Sequence, residues 1–193
     1  MEEIKNTFKI KSLSSTILTQ GVQELQKRLG IKNPMAVPTL LKIVVNMGVR
    51  DALDDKKNME KVNVVLAQIT GQKPKVTVAK KAISGFKLRE GDQIGLVATL
   101  RGKKMQDFFT RLVTIVLPRF RDFHGVRKGS FDGHGNYTLG LLESTVFPEI
   151  DPGKVDLPAG GQGLEISIVT SAKNDKEGYA LLEALGMPFS KSV

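Results

Sequence analysis

The chain contains no cysteine and no tryptophan, and aromatic residues make up only 6% of it. The lack of cysteine excludes disulfide bonds, thiol catalysis and cysteine-ligated zinc, and it agrees with a protein of the reducing cytoplasm. Long apolar runs are missing too. The segment from Leu112 to Leu117 is interrupted by Thr114, whereas a membrane span needs about 20 apolar residues. We therefore expect no membrane partner and no secretory signal peptide.

Acidic residues are scarce relative to basic ones. The 193 residues include 29 lysines and arginines against 20 aspartates and glutamates, a net charge of +9. Residues 71–104 hold nine basic and two acidic side chains. A basic surface concentrated in one part of the chain favours a polyanionic partner such as nucleic acid, because neutralised phosphates release counterions. A positive face that serves only solubility is the alternative.

Apolar periodicity predicts a mixture of strands and helices. Every second residue from Leu41 to Met47 is apolar, which predicts a strand with one buried face and with Lys42 and Asn46 on the other. The predicted strands are Leu41–Met47, Val76–Val78, Ile94–Leu100, Tyr137–Leu142 and Leu164–Thr170. The predicted helices run between Ser14 or Ser15 and Gly30, between Asp54 or Asp55 and Gly71, from Lys103 to Leu117 with Pro118 as the stop, and from a capping box at Asn174 and Glu177 to Gly186.

This element order indicates the α+β class. We predict one domain over residues 1–193, with a mostly antiparallel sheet, helices packed on one face and a projecting basic loop. No internal repeat or low-complexity segment divides the chain.

The search for catalytic or metal-binding chemistry finds little. His124 and His134 are the only histidines, and with Asp132 they could be drawn as a metal site, but they lack the spacing of zinc ligands. Gly133 and Gly135 lack the third glycine of a dinucleotide site and lead into a strand. No serine-hydrolase, metalloprotease or phosphate-loop motif occurs. We therefore expect no enzyme activity, no metal and no cofactor.

RNA binding through stacked bases is weakly supported. The segment Lys128-Gly129-Ser130-Phe131 faintly matches the start of an RNA-recognition motif, but the stacking aromatics do not follow at the required spacing. A basic α+β domain that is poor in aromatics is better suited to folded RNA, which is recognised through phosphates, 2′-hydroxyls and shape.

Several segments, in order along the chain, resemble one known family. They are Lys42–Val49, Ile69–Pro74, Phe86–Gly91, Thr99–Gly102, Leu117–Phe123, Phe131–Tyr137, Phe147–Ile150 and Met187–Phe189. Through them the chain resembles the bacterial-type large-subunit ribosomal protein five family, the 5S rRNA-binding protein of the central protuberance, from about Pro38 to Phe189. It departs from that family at Ser144, at Ala98 and in a small insertion at Leu157–Gly163.

The resemblance implies a structural RNA-binding protein of the large ribosomal subunit. The family binds 5S rRNA, links it to large-subunit rRNA, contacts the peptidyl-site tRNA and meets a protein of the small-subunit head and neighbouring central-protuberance proteins. The implied location is a cytoplasmic ribosome, with an organellar one left open. The alternatives are an RNA-modifying or nucleotide-using enzyme, which lacks a catalytic constellation here, and a membrane-surface protein, which lacks a basic amphipathic helix with aromatic anchors.

The resemblance and the strand period together predict the 5S rRNA site. Lys42 and Asn46 share the exposed face of the first strand, and Gly48 lets an RNA backbone approach without a Cβ in the way. The family match adds Gln72 and Lys73 in the turn after the second helix, as an amide and a charge at the edge. Asn46 has an alternative role as a turn-forming residue at a strand end.

Arg119, Arg121 and Arg127 are predicted to contact rRNA phosphates. Arg119 and Arg121 follow a helix-ending proline, and in an extended segment they lie on one side, where they can bind adjacent phosphates. The alternative is that Arg121 pairs with Asp107 or Asp132 and holds the loop.

The segment Ala82–Gly91 is predicted to project as a loop that, by the resemblance, contacts the peptidyl-site tRNA. Strands on both sides give it a rigid base, as is common for functional loops. If the tip is extended, Lys87 and Arg89 fall on the same side, where they can meet a phosphate backbone without reading bases. Phe86 turns inward as an anchor or stacks on an exposed nucleotide, and an ordinary solvated hairpin is the alternative. The predicted contact residues are Ser84, Gly85, Phe86, Lys87 and Arg89.

Overall fold

Among the described residues, separate segments of the chain pair into a sheet of five strands, and three α-helices accompany it besides a helical stretch before Gly30. The computed structural model describes residues 25–26, 28–31, 33–49, 56–120, 123–151, 153 and 162–190. The strands are β1 (Leu40–Gly48), β2 (Lys75–Val78), β3 (Gln93–Leu100), β4 (Tyr137–Leu141) and β5 (Leu164–Thr170), in the order β2-β3-β1-β5-β4. The helices are α1 (Lys56–Thr70), α2 (Gly102–Arg111) and α3 (Asp175–Ala184). The predicted α+β class is confirmed.

Strand pairing places β3 between β1 and β2. β1 pairs antiparallel with β3, from Ile43 opposite Leu100 to Gly48 opposite Gly95. β2 pairs antiparallel with the other side of β3, with a register shift near its end. β2 and β3 flank residues 79–92, so strands hold both ends of the predicted loop, as expected.

β1 follows the predicted alternation except at its start. Ile43, Val45 and Met47 are fully buried, and Asn46 is exposed. Leu41 was expected on the buried face, but 53% of its surface is exposed. It precedes Ile43, where pairing with β3 begins, so its side chain lies beyond the paired stretch.

The described residues form two compact units. The sheet unit comprises the described residues within 42–104 and 138–167, and the terminal unit comprises those within 1–41, 105–137 and 168–193. The assignment of residues 1–193 to one domain stays a prediction. Among the described residues, no helix combines the length and the apolarity that crossing a membrane requires.

In the sheet unit, α1 packs against β3 and covers one face of the sheet. The side chains predicted to point inward from this helix are all buried, namely Met59, Val62, Leu66 and Ile69. Gly71 follows the helix with φ +65°, a left-handed conformation that suits glycine and ends the helix as predicted. The predicted caps Asp54 and Asp55 lie outside the described residues.

The helical run that starts with α2 continues further than predicted, and most of it belongs to the terminal unit. A π-helical turn follows α2 at Leu112–Val116, and a 3₁₀ turn follows at Leu117–Arg119. Pro118 occupies the first part of that 3₁₀ turn, where no N–H donor is needed. The prediction that Pro118 ends the helix is therefore wrong.

Capping sets the start of α3. The Glu177 N–H donates to Asn174 Oδ1 at 2.9 Å, and the Glu177 carboxylate accepts from the Lys173 N–H at 3.0 Å. These reciprocal bonds form the predicted capping box, with the return bond shifted by one residue. The inward-facing leucines of this helix are buried as predicted, at Leu181, Leu182 and Leu185.

Of the first predicted helix, only a part is described. Leu25, Gln26, Arg28 and Leu29 are helical, and Gly30 follows with φ +65°. The predicted caps, Ser14 and Ser15, lie outside the described residues.

Two glycines allow α3 to approach the loop before β4 closely. A Cβ at Gly178 would lie 2.5 Å from the carbonyl oxygen of Gly135. Gly135 has φ +79°, its N–H donates to Asp175 Oδ1 at 2.9 Å, and its carbonyl accepts from Thr170 Oγ1 at 2.8 Å. Both glycines are therefore required by packing within the terminal unit.

Candidate nucleic-acid interface

The face of the sheet unit opposite α1 is open among the described residues. Asn46 and Gly48 are exposed on it, and Lys42 is half-buried. Residues 42 to 48 of an extended strand cover about 20 Å at roughly 3.3 Å per residue. The prediction that Lys42 and Asn46 share an uncovered face is confirmed, and we call this surface, defined by Lys42, Val44, Asn46 and Gly48 with their β3 partners, the open face.

Gly48 has no steric reason within the fold to be glycine. A Cβ at this position would meet nothing within 4 Å, and its φ is not positive. By contrast, a Cβ at its partner Gly95 would lie 2.9 Å from Thr77 Oγ1 and 3.0 Å from Met47 O. Packing thus requires glycine at position 95. At position 48 the glycine leaves the backbone of the open face without a covering side chain.

The turn that carries Gln72 and Lys73 is fixed to the end of β3. Gln72 Nε2 donates to the Thr99 carbonyl at 3.1 Å, and Lys104 Nζ donates to the Gly71 carbonyl at 2.8 Å. Thr99 pairs with Val44 of β1. The structure therefore brings Gln72 to the Lys42 end of the open face and leaves Gly48 at the other end.

Asn46 lies inside β1, opposite Val97, so its alternative role as a turn residue is wrong. Its Nδ2 is 3.5 Å from Glu165 Oε2 of β5. Lys75 of β2 is also opposite Val97, which aligns Lys75, Val97 and Asn46 across three neighbouring strands. With strands about 4.8 Å apart, Lys75 adds a cation about 10 Å from Asn46.

Sequence reasoning missed four residues at this face or at the turn beside it, because strand pairing and the docking of the turn bring them there. Alternation within β2 could have indicated Lys75, but not the alignment of Lys75 with Asn46. The four residues are Lys75, Thr99, Lys104 and Glu165.

The loop between β2 and β3 has its own small hairpin. Ile83 and Leu88 exchange backbone hydrogen bonds at 2.9 and 3.1 Å, and they enclose a 3₁₀ turn at Ser84–Phe86. Lys87 closes the turn with φ +53°. The tip is thus a closed turn and not extended, so the condition for placing Lys87 and Arg89 on one side is not met.

All five predicted contact residues of this loop are exposed. Phe86 is 67% exposed, so it does not turn inward, and the stacking alternative remains. Asp92 fixes the base of the loop, because its Oδ2 accepts from the Arg89 N–H at 2.7 Å. The loop therefore presents an exposed ring and two cations on a hydrogen-bonded base.

Two of the arginines predicted to bind rRNA phosphates, Arg119 and Arg127, lie on separate segments of the terminal unit. Arg119 is exposed at the end of the 3₁₀ turn and not in an extended segment, which corrects that part of the prediction. Arg127 is exposed, and its carbonyl accepts from the Tyr137 hydroxyl at 2.7 Å. Burial raises the pKa of that hydroxyl. Arg121 lies outside the described residues, and so do its proposed pairings with Asp107 and Asp132.

The loop with the two histidines is stabilised by Asp132. Its Oδ1 accepts from the N–H groups of His134 and Asn136 at 2.9 and 3.1 Å, and its Oδ2 accepts from Asn136 Nδ2 at 2.7 Å. The Asn136 side chain, followed by the backbone N–H of His134, lowers the pKa of Asp132. His124 and His134 are exposed, and no cluster of metal-ligating side chains occurs among the described residues. Asp132 therefore has a structural role in this loop.

Comparisons with known proteins cover nearly the whole chain. Residues 33–89 match the family model described as ribosomal protein L5, and residues 93–189 match the model of the C-terminus of the same ribosomal family. The large ribosomal subunit protein uL5 of Mesoplasma florum is 54% identical over 183 residues, which are 94% of this chain and all of that protein. The uL5 proteins of Syntrophotalea carbinolica and Streptococcus suis are each 52% identical, over 181 and 179 residues, which are 94% and 93% of this chain and 97% and 98% of those proteins.

These matches also answer the question of enzyme activity, since uL5 proteins are structural components of the large ribosomal subunit and not enzymes. The matched segments include β1 with the open face, the loop between β2 and β3, and the glycine-dependent loop before β4. With both family models matched in order and relatives above half identity, the chain belongs to the uL5 family of large ribosomal subunit proteins.

Proposed function

We propose that the chain binds 5S rRNA through the open face and the turn beside it, with Lys42, Asn46, Gly48, Gln72 and Lys73 in contact with the RNA. The observation that carries the proposal is the docking of this turn onto β3, which puts the Gln72 amide beside the strand that pairs with β1. Amides can hydrogen-bond to the 2′-hydroxyls of RNA, the flanking cations can contact its phosphates, and a glycine lets its backbone come close to the strand. The paired strands of the sheet hold these groups in fixed positions.

The test removes both amides and measures 5S rRNA affinity at fixed salt by gel shift. We expect Asn46→Ala with Gln72→Ala to weaken binding by about tenfold or more, since two hydrogen-bonding groups are lost. The matched control is Asn63→Ala with Gln68→Ala, which removes two amides from α1 on the covered side of the sheet. Equal affinity of the first variant and the wild type, with both folded, would contradict the proposal.

The same protein links 5S rRNA to large-subunit rRNA, and we assign the phosphate contacts to Arg119, Arg121 and Arg127. Exposed guanidinium groups bind phosphate oxygens bidentately and carry no sequence information. Arg119→Ala with Arg127→Ala should reduce the salt dependence of rRNA binding without lowering the melting temperature. A lower melting temperature with unchanged RNA affinity would make these arginines structural.

The loop between β2 and β3 contacts the peptidyl-site tRNA through Ser84, Gly85, Phe86, Lys87 and Arg89. Support comes from its rigid base and its exposed tip, where Phe86 can stack on a nucleotide and the two cations meet phosphates. The alternative is a solvated hairpin with no partner.

Replacing residues 84–87 with Asn-Gly tests this contact and keeps the Ile83–Leu88 pairing, because Asn-Gly closes a two-residue hairpin. We expect tRNA retention in the peptidyl site to fall while 5S rRNA affinity stays at the wild-type level. Unchanged tRNA retention would give the loop another partner, and lost 5S rRNA binding would place the loop at the 5S rRNA site.

The remaining partners of the proposed function are a protein of the small-subunit head and neighbouring proteins of the central protuberance, in a cytoplasmic ribosome. Family membership supports them. Cross-linking of assembled ribosomes followed by mass spectrometry identifies the residues involved.

A further inference from the structure

A cleft of about 470 Å³ lies in the terminal unit, and none of the residues assigned above to the 5S rRNA or to the tRNA lines it. Its volume is within the roughly 300–1,000 Å³ of small-molecule sites. Three cationic side chains, two aromatic rings and one carboxylate line it, from Arg28, Lys128, Lys176, Phe131, Tyr179 and Asp175. We call it the aromatic-basic cleft.

The charges at this cleft favour an anion. Arg28 forms an ion pair with Glu183, and Asp175 Oδ1 accepts from the Gly135 N–H at 2.9 Å. Among the described residues, neither Lys128 nor Lys176 has an ion-pair partner. Lys176 and Asp175 belong to the first turn of α3, whose helix dipole adds positive potential at the same place.

The two rings are held from behind by other aromatic side chains. The Tyr179 ring lies 4.5 Å from the Phe189 ring, and its hydroxyl donates to Glu183 Oε1 at 3.1 Å. The Phe131 ring lies 4.9 Å from the Tyr137 ring in an edge-on arrangement. These contacts fix the orientation of both rings before any ligand arrives.

We propose that the aromatic-basic cleft binds one unpaired nucleotide of ribosomal RNA, with its base against Phe131 and Tyr179 and its phosphate at Lys128 and Lys176. Stacking on a ring accepts any base, and a lysine pair contacts phosphate without reading sequence. A chain that is poor in aromatics overall thus concentrates two of them beside cations at one place. The proposal does not depend on the 5S rRNA assignment, because those residues belong to the other unit.

The chain offers a local reporter, since it contains only two tyrosines. Full-length protein labelled with 3-fluorotyrosine gives two ¹⁹F resonances, which Tyr179→Phe assigns. Tyr179 lines the cleft, whereas Tyr137 is 1% exposed. We expect adenosine monophosphate and the hexanucleotide r(A)₆ to shift the Tyr179 resonance and to leave that of Tyr137 in place. Tighter binding of r(A)₆ would identify RNA as the source of the nucleotide, and tighter binding of the monophosphate would overturn the RNA part of the proposal.

A matched pair of double variants separates the cleft from general charge. Lys128→Ala with Lys176→Ala should weaken r(A)₆ binding at the Tyr179 resonance roughly tenfold. Lys103→Ala with Lys173→Ala removes the same charge from exposed positions outside the cleft, and it should change the affinity by less than about twofold.

Three results would overturn the proposal. They are no shift at Tyr179, an equal loss of affinity in both double variants, and an equal shift with inorganic phosphate alone, which would show an anion site that takes no base. Gel shifts with 5S rRNA on the same proteins keep the two proposals apart. If 5S rRNA fails to bind the wild type while Tyr179 still responds to r(A)₆, the assignment of the open face falls and that of the cleft stands.

Discussion

The two units place their polar side chains by different physical means. In the sheet unit, strand register sets the positions, because Lys75, Val97 and Asn46 align wherever three antiparallel strands pair. In the terminal unit, caps and close backbone contacts set them, since the loop before β4 depends on Asp132, and its approach to α3 depends on Gly178.

This difference predicts how each unit responds to substitution. A strand face tolerates changes on its open side, where stability and binding are separate properties. A loop that is packed through glycines has no such freedom, because a single added methyl group meets backbone atoms that do not yield.

The largest effect is expected for Gly178→Ala in the terminal unit. Helix propensity favours alanine by about 1 kcal/mol, but the new Cβ would lie 2.5 Å from the Gly135 carbonyl oxygen. Because overpacking against backbone costs up to about 3 kcal/mol or more, we expect a net loss of about 2 kcal/mol in the free energy of unfolding. Urea denaturation measures it, with Gly140→Ala as the control, since a Cβ at 140 meets nothing within 4 Å. A stabilised Gly178→Ala variant would contradict the close packing.

Gly48→Ala should separate stability from binding in the sheet unit. We expect the melting temperature to stay within about 2 °C of wild type, because a Cβ at 48 meets no atom within 4 Å. The affinity for 5S rRNA should fall roughly tenfold, equivalent to about 1.4 kcal/mol, because the added methyl group keeps the RNA backbone away from the open face. Gly140→Ala on β4 is the matched control, and it should keep wild-type affinity. If the two alanines behave alike, position 48 is not in contact with RNA.

A smaller gain is expected from Glu165→Gln. Glu165 Oε2 lies 3.5 Å from Asn46 Nδ2, and its charge repels phosphates at the open face. Glutamine keeps an acceptor for Asn46 and removes the charge, so 5S rRNA affinity should rise by about twofold at low salt and less at high salt. Glu60→Gln on the exposed side of α1 is the control with the same charge change. Weaker binding of Glu165→Gln would show that the carboxylate itself is needed.

The smallest effect concerns acid stability of the terminal unit. The pKa of Asp132 is lowered from its ordinary 3.8, first by the Asn136 side chain and then by the His134 N–H. A lowered folded-state pKa means that this stabilisation is present above the unfolded value and is lost as the pH falls through the folded value. Melting temperatures should therefore drop less in Asp132→Asn than in wild type as the pH is lowered below about 3.8. Equal acid dependence in both proteins would contradict this role.

Local patterns predicted most elements because their signals are short-range. The alternation through Ile43 and Met47, the capping box at Asn174 and the stop at Gly71 each depend on neighbours within a few residues. Predictions failed at the end of one helix and at the tip of one loop. Pro118 was accommodated by a 3₁₀ turn, and Phe86 turned outward on a closed tip.

The amino-acid sequence by itself determined the α+β class, the basic character, the absence of thiol chemistry and, through its ordered motifs, membership of the uL5 family. Only the tertiary structure decided which residues meet: Gln72 hydrogen-bonds to the end of β3, Asn46 lies beside Glu165, and Gly178 packs against Gly135. The physical reason is the distance along the chain over which each effect acts. Propensity, capping and periodicity act over one or two turns of chain, whereas these pairs are brought together by strand order and packing between segments far apart in sequence.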